Sequence, residues 1–321
     1  VGGEKEIAMY LLKSFVSFKD PKKEKKVMGL MSACDVQAVD MQNVGDTDPS
    51  KLIVMTDRIE VLSDHPVLKN SRDKILFLSD SETEAAKTDS NLEFFNHILI
   101  VRTEPPQEFP ADKVLSIINA VRKGGLTILD HLNPGAVVRE FELSISEQRT
   151  WFRDELSRYI ETFMGALPRP SQVYAQYATE IQDELLMNAI WDASQVRATM
   201  SRKELVKLAP DETVKVKWAF DGFRFAVSVR DRHGSFPPEL YRKYVTSLFS
   251  PDARMGLDMQ NNSVGGAGLG LFMILERASE LTINVAKGSF TDVVVVLNFS
   301  AGPKAMSKGP KTFQFFNLGD R

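Results

Sequence analysis

The sequence has 321 residues, of which 43% are hydrophobic and 26% charged, with a formal net charge of −3; that is the balance of a globular chain long enough for two ordinary domains. It lacks the basic excess on which electrostatic nucleic-acid binding depends, so no nucleic-acid partner is expected. The single cysteine, Cys34, excludes an intrachain disulfide and a cysteine-based zinc site, no apolar run approaches the ~20 residues of a membrane-spanning helix, and no basic-then-apolar pattern opens the sequence; a cytoplasmic location without membrane insertion is expected.

In chain order, residues 6–18 carry apolar residues at helical spacing (Ile7, Tyr10, Leu11, Phe15) and predict a helix. The charge run Lys19–Lys26 reads as a solvated connector. Short apolar runs at 51–55, 75–78 and 97–101 then alternate with polar stretches and read as buried strands. Residues 111–122 read as an amphipathic helix closed by Gly124-Gly125. Alternation of this kind predicts an α/β layer with parallel strands.

The region 4–145 resembles, loosely, a response-regulator receiver domain. Leu52-Ile53-Val54-Met55-Thr56-Asp57 stands where a strand would end in a phosphoacceptor, Ser79 ends the next strand, and Arg102 falls where receivers carry a lysine. The acidic pair that would hold Mg²⁺ after the first strand is missing from Lys26–Ala33. The resemblance therefore implies a degenerate receiver serving as an interaction or dimerisation module, with Asp57 read as starting a loop rather than accepting phosphate, and with a homodimer as one possible assembly.

Residues 147–164 predict a strong helix, ended by Gly165 and Pro168-Arg169-Pro170. The segment 146–170 is thus a connecting helix, and 171–321 a second α/β domain. Its first helix, from Ser171 to about Ser194, carries Glu184, Asn188 and Asp192 at i, i+4 and i+8, along one side. A carboxylate and a carboxamide in line form a hard oxygen surface suited to Mg²⁺ shared with phosphates, and the glutamate could orient or deprotonate a nucleophile; a solvated polar face is the plainer alternative. Strict alternation at 214–220 and 223–230 around Asp221-Gly222 predicts a hairpin. Its second strand ends at Asp231, a carboxylate placed to accept a hydrogen bond from an exocyclic amine in an apolar pocket. Finally, four glycines crowd into Asn261–Gly270 ahead of an apolar helix, an arrangement that lets backbone N–H groups converge on phosphate.

Glu184-x-x-x-Asn188, Asp231 and Gly266-x-Gly268-x-Gly270 occur in the order of the N, G1 and G2 boxes of the GHKL superfamily, which includes gyrase-type and chaperone ATPases, sensor histidine kinases and anti-sigma-factor serine kinases. The resemblance covers residues 171–300 and implies a Bergerat α/β sandwich, a mixed sheet with helices on one face. It implies ATP and Mg²⁺ as cofactors, with Asn188 on the metal and Glu184 as general base or water-positioning residue. Asp192 would belong to the nucleotide site, Asp231 would meet adenine N6, Thr291 would support Asp231 through water, and Gly266, Gly268, Leu269 and Gly270 would meet the phosphates beneath a lid over 239–264. The G1 pattern departs at His233 and Ser235, which stand where glycines are usual and leave Gly234 as the glycine of that turn. A sensor histidine kinase would need a histidine on a helix upstream of the N box. His65, His97, His131 and His233 do not fit, so a serine or threonine on a partner protein is the expected acceptor. The alternative is a nucleotide-gated interaction module that binds ATP without phosphate transfer.

Overall fold

The computed structural model describes residues 12–71, 73–79, 95–101, 111–164, 171–249, 269–300, 302, 306 and 311–319. The first five strands are β1 (Lys13–Ser17), β2 (Gln37–Val39), β3 (Leu52–Thr56), β4 (Asp73–Ser79) and β5 (His97–Val101). They lie in the order β2-β1-β3-β4-β5, every neighbouring pair parallel. Leu52, Ile53, Val54 and Met55 are all buried, because a central parallel strand is covered on both faces. One cover is formed by helices α1 (Pro21–Ala33) and α2 (Ala111–Lys123), whose Val27, Met31, Val114, Ile117 and Val121 pack on Ile53, Met55, Ile75 and Leu99.

Two expectations for this region change. The helix predicted over 6–18 is strand β1 from Lys13 onward, and residues 1–11 lie outside those described. The apolar spacing there is misleading because β1 is flanked on both sides, so even Ser14 is buried. The charge run Lys19–Lys26 is not a connector but the start of α1, where Asp20 caps Lys22 N–H at 2.9 Å and Pro21 occupies the first turn. Lys26–Ala33 is therefore the body of a helix. The residues that follow the first strand are Phe18-Lys19-Asp20, with one carboxylate engaged in the cap.

The remaining strands are β6 (Val137–Leu143), β7 (Val214–Phe220), β8 (Arg224–Asp231), β9 (Glu280–Ala286), β10 (Phe290–Asn298) and β11 (Lys311–Asn317). Helices α3 (Gln148–Met164), α4 (Ser171–Met187), α5 (Pro238–Phe249) and α6 (Leu269–Arg277) accompany them. The 214–231 hairpin forms as predicted, paired antiparallel from Lys215 with Arg230 to Phe220 with Phe225. Strand β6, which precedes the connecting segment, pairs with β7 at the far edge. Helices α3 and α4 lie against the sheet through Phe152, Tyr159 and Trp218, and Trp218 Nε1 donates to Gln182 Oε1 at 2.6 Å.

All eleven strands of the described residues join in one mixed sheet, β2-β1-β3-β4-β5-β11-β9-β10-β8-β7-β6. Strand β11 is the joint, antiparallel to β5 and parallel to β9. One apolar core runs along a single face across both parts, from Leu52 and Leu76 to Trp218 and Val295. Two polar contacts reinforce the joint. Buried Glu280 binds His131 Nδ1 at 2.9 Å and the Lys113 ammonium, and Asn284 exchanges two hydrogen bonds with the Leu126 backbone.

Candidate functional site

Helix α4 loosens beyond Met187 into a π turn over Asn188–Asp192, closed by Ala193 N–H on Asn188 C=O at 2.8 Å. Such turns widen the helix by one residue and re-aim the side chains on it. With its amide oriented to satisfy both neighbours, Asn188 Nδ2 lies 3.3 Å from Glu184 Oε1 and 3.0 Å from Asp192 Oδ2. The three residues expected on one side of the helix are thus in direct contact. Arg202 Nη2 donates to both oxygens of Asp192, at 2.9 and 3.1 Å.

Glu184 is held away from water at 8% exposed, whereas Asp192 stays open to solvent on one side. Burial pushes the Glu184 carboxyl above the usual range, Arg202 opposing and Asp192 and Asp183 adding to the shift. Burial likewise raises Asp192 against the pull of Arg202. Glu184 is covered by the first turn of α6, where Gly270 presses against its carboxylate. Only glycine permits that approach.

A second wall comes from the sheet. Asp231 ends β8, is 7% exposed, and its Oδ1 accepts the N–H groups of His233 (2.7 Å) and Gly234 (3.2 Å). Burial raises its pKa, those two N–H groups pulling the other way. Gly234 adopts φ +61°, and a Cβ there would lie 2.1 Å from Ala286 O, so this turn requires its glycine. Thr291 is the register partner of Asp231 across β8 and β10. Its hydroxyl is close enough to favour the ionised aspartate, yet Oγ1 is buried without a hydrogen bond of ordinary geometry.

Between the walls lies a cavity of about 200 Å³. Asn188, Asp192 and Ala193 bound it from the π turn, Val229 and Asp231 from β8, Thr291 and Val293 from β10, Ile283 from β9, and Leu240 and Tyr244 from α5. It is an apolar slot with a few polar groups, the usual make-up of a small-molecule site. Sequence reasoning did not single out Leu240, Tyr244 or Phe236 as lining residues. The signal available was the i, i+4 spacing of Leu240 and Tyr244 on the helix expected there.

Of the residues singled out from sequence, Asn188, Asp192, Asp231 and Thr291 line this cavity, and Glu184 stands behind Asn188. Gly234 and Gly270 shape its surroundings. Leu269 begins α6, while Gly266, Gly268 and the lid residues 250–264 lie outside the described residues. The two departures from the G1 pattern separate. Ser235 lines the cavity and donates to Ala193 O at 2.7 Å, whereas His233 turns to Arg197 (3.0 Å) and Glu212 (3.7 Å). The other histidines are structural: His65 caps a helical turn, His97 is buried in β5, and His131 binds Glu280.

In the first part of the chain, Asp57 follows β3 directly and is 5% exposed; its Oδ1 accepts Lys19 N–H at 2.8 Å across the gap between β1 and β3. Ser79 ends β4, and Arg102 lies outside the described residues. Among the described residues no helix is long and apolar enough to cross a membrane. No protein-family model matches the chain, and no curated protein is similar enough to count as a match.

Proposed function

We propose that the chain is an ATP-binding signalling protein of the GHKL type, a regulatory protein kinase acting on a serine or threonine of a partner protein. The observation that carries the reading is the convergence on one apolar cavity of the buried carboxylate Asp231, the unpartnered Thr291 hydroxyl and the Asn188–Asp192 oxygen surface. Asp231 would accept the exocyclic amine of adenine, and Thr291 Oγ1, buried beside it without a hydrogen bond of ordinary geometry, is suited to a water bridging the two. Val229, Ile283 and Val293 would cover the faces of the base.

Asn188 would hold Mg²⁺ through its amide oxygen, with Asp192 beside it. The ion would supply charge neutralisation for the phosphates. Asn188 fits that task because its amide nitrogen is already engaged by the two flanking carboxylates, which fixes its orientation. Glu184, desolvated and raised in pKa, would take a proton from the attacking hydroxyl. The strand order β2-β1-β3-β4-β5, with Asp57 at the β1/β3 switch point, supports a receiver-like first part, and the mixed run β11-β9-β10-β8-β7, with α4 against one face, supports a Bergerat-type second part. The partner protein would engage the former.

One observation favours the second reading, a nucleotide-gated interaction module without phosphate transfer. Glu184 is 8% exposed, bonded to Asn188 and covered by Gly270, while the cavity is lined by its neighbours. Calorimetric titration with ATP and Mg²⁺ tests the shared part of both readings: saturable binding lost in Asp231→Asn is expected, and no binding by the unaltered chain would sink them. Glu184→Ala then separates them, since a kinase loses phosphate transfer but keeps binding.

A further inference from the structure

Helix α5 belongs to two neighbourhoods at once. Its Leu240 and Tyr244 line the cavity, while Tyr241, fully buried between them in sequence, faces the other way. Tyr241 OH donates to Asn96 O at 3.0 Å, immediately before β5. The same carbonyl accepts Phe315 N–H from β11 at 2.9 Å. Phe315 in turn stacks near Tyr241, with ring centroids 5.4 Å apart, and near Phe236 of the cavity at 6.4 Å. It is also the register partner of Ile283, another cavity residue.

Two separate routes from the cavity wall therefore end on one backbone carbonyl of the first five strands. One runs through α5 and Tyr241, the other through Ile283 and Phe315. The next residue on α5, Arg242, approaches β4 closely enough to lower the pKa of buried Lys74, whose main cause is desolvation.

We propose that α5 couples the cavity to the first part of the chain, so that a ligand pressing on Leu240 and Tyr244 changes how Tyr241 holds Asn96 and the start of β5. This rests on the nucleotide reading above. Coupling between binding sites is reciprocal, so a protein engaging the first five strands shifts nucleotide affinity by the same factor. Tyr241 is a positioning residue, outside the cavity itself.

The test uses the full chain with ATP and Mg²⁺, read by calorimetry for binding and by hydrogen–deuterium exchange over residues 95–101 for coupling. Binding to the unaltered chain is expected to change exchange there by about fivefold or more. Tyr241→Phe removes the hydroxyl but leaves Asn96 O paired with Phe315 N–H. It is expected to bind ATP within about threefold of the unaltered chain while the exchange response is lost, a difference smaller than the typical coupling. Should Tyr241→Phe not fold, the response of the unaltered chain over 95–101 on ATP binding decides the matter alone. ATP binding without any change over 95–101, or an unchanged response in folded Tyr241→Phe, overturns the coupling alone. Absence of ATP binding by the unaltered chain overturns both the coupling and the nucleotide reading.

Discussion

Gly270 and Glu184 lie so close that a Cβ on Gly270 would sit 1.8 Å from Glu184 Cδ and 1.9 Å from Oε1. What it meets is the end of a side chain rather than backbone, so Gly270→Ala is expected to turn the Glu184 carboxylate away and spare the fold. The cost in stability should be about 1–2 kcal/mol, typical of overpacking. Asn188 would lose one of its two anchors. Thermal denaturation with and without ATP and Mg²⁺ should show a modest loss of Tm but an ATP-dependent shift reduced to a small fraction.

Glu184→Gln should stabilise the ligand-free protein at neutral pH. Because the folded-state pKa of Glu184 is raised, the native state binds more protons than the unfolded one between the ordinary glutamate value and the shifted one. Stability therefore falls as pH rises through that window. Gln keeps an acceptor for Asn188 without the buried charge, and a gain of about 1 kcal/mol is expected. Urea unfolding at pH 5 and pH 7 would show it; a variant less stable than the parent at pH 7 would contradict the argument.

Lys311 and Lys74 give the opposite slope at alkaline pH. Lys311 Nζ donates to the carbonyls of Leu275, Glu276 and Ala278, closing the end of α6, and burial lowers its pKa to about 8. Lys74 is lowered to about 8 by burial and then by Arg242. The unfolded chain, with lysines at their ordinary 10.5, binds more protons from pH 8 to 10.5. Stability should rise across that window by on the order of 3 kcal/mol for each lysine. Lys311→Met should remove part of the rise and leave the α6 carbonyls unpaired, at ~1–3 kcal/mol.

Glu280 is the acid-sensitive counterpart. Burial works against its charge, but the His131 hydrogen bond and the Lys113 ammonium outweigh it and hold the pKa at about 2. Its folded pKa is depressed, so its contribution is complete above the ordinary 4.5 and is lost as pH falls towards 2. Glu280→Gln should cost about 3–5 kcal/mol at neutral pH, because the partly buried Lys113 loses its counter-charge. Acid unfolding followed by circular dichroism would show the variant less stable at pH 6 and converging with the parent near pH 2.

The sequence made some of this legible for identifiable reasons. Leu52–Met55, 75–78 and 97–101 are continuous apolar runs, and a strand covered on both faces looks like that. The hairpin was written in strict alternation around Asp221-Gly222. Strand β1 was hidden because Ser14 and Ser17 interrupt its pattern, and β6 because, at the edge, most of its residues are exposed. At the site, Glu184, Asn188 and Asp192 were legible from helical spacing, although the π turn that lets Asn188 touch both carboxylates was not. Leu240, Tyr244 and Phe236 reach the cavity through tertiary packing, for which local spacing holds only a hint. The joining role of β11 depends on pairings with residues some two hundred positions away, which no local pattern reveals.

That joint has a bearing on how the chain is built. Strand β11 follows in sequence both strands it separates in space, β5 and β9, so each must wait with an open edge until residues 311–317 arrive. Its pairing with β5, Lys311 to Ile100 and Gln314 to His97, closes a very long loop and belongs among the slow contacts of folding. During synthesis the two parts can collapse separately, exposing unpaired strands that invite intermolecular addition. The aromatic residues Phe313, Phe315 and Phe316 then act as the closing seam, and the protein passes from two half-sheets to one only when that seam is laid in.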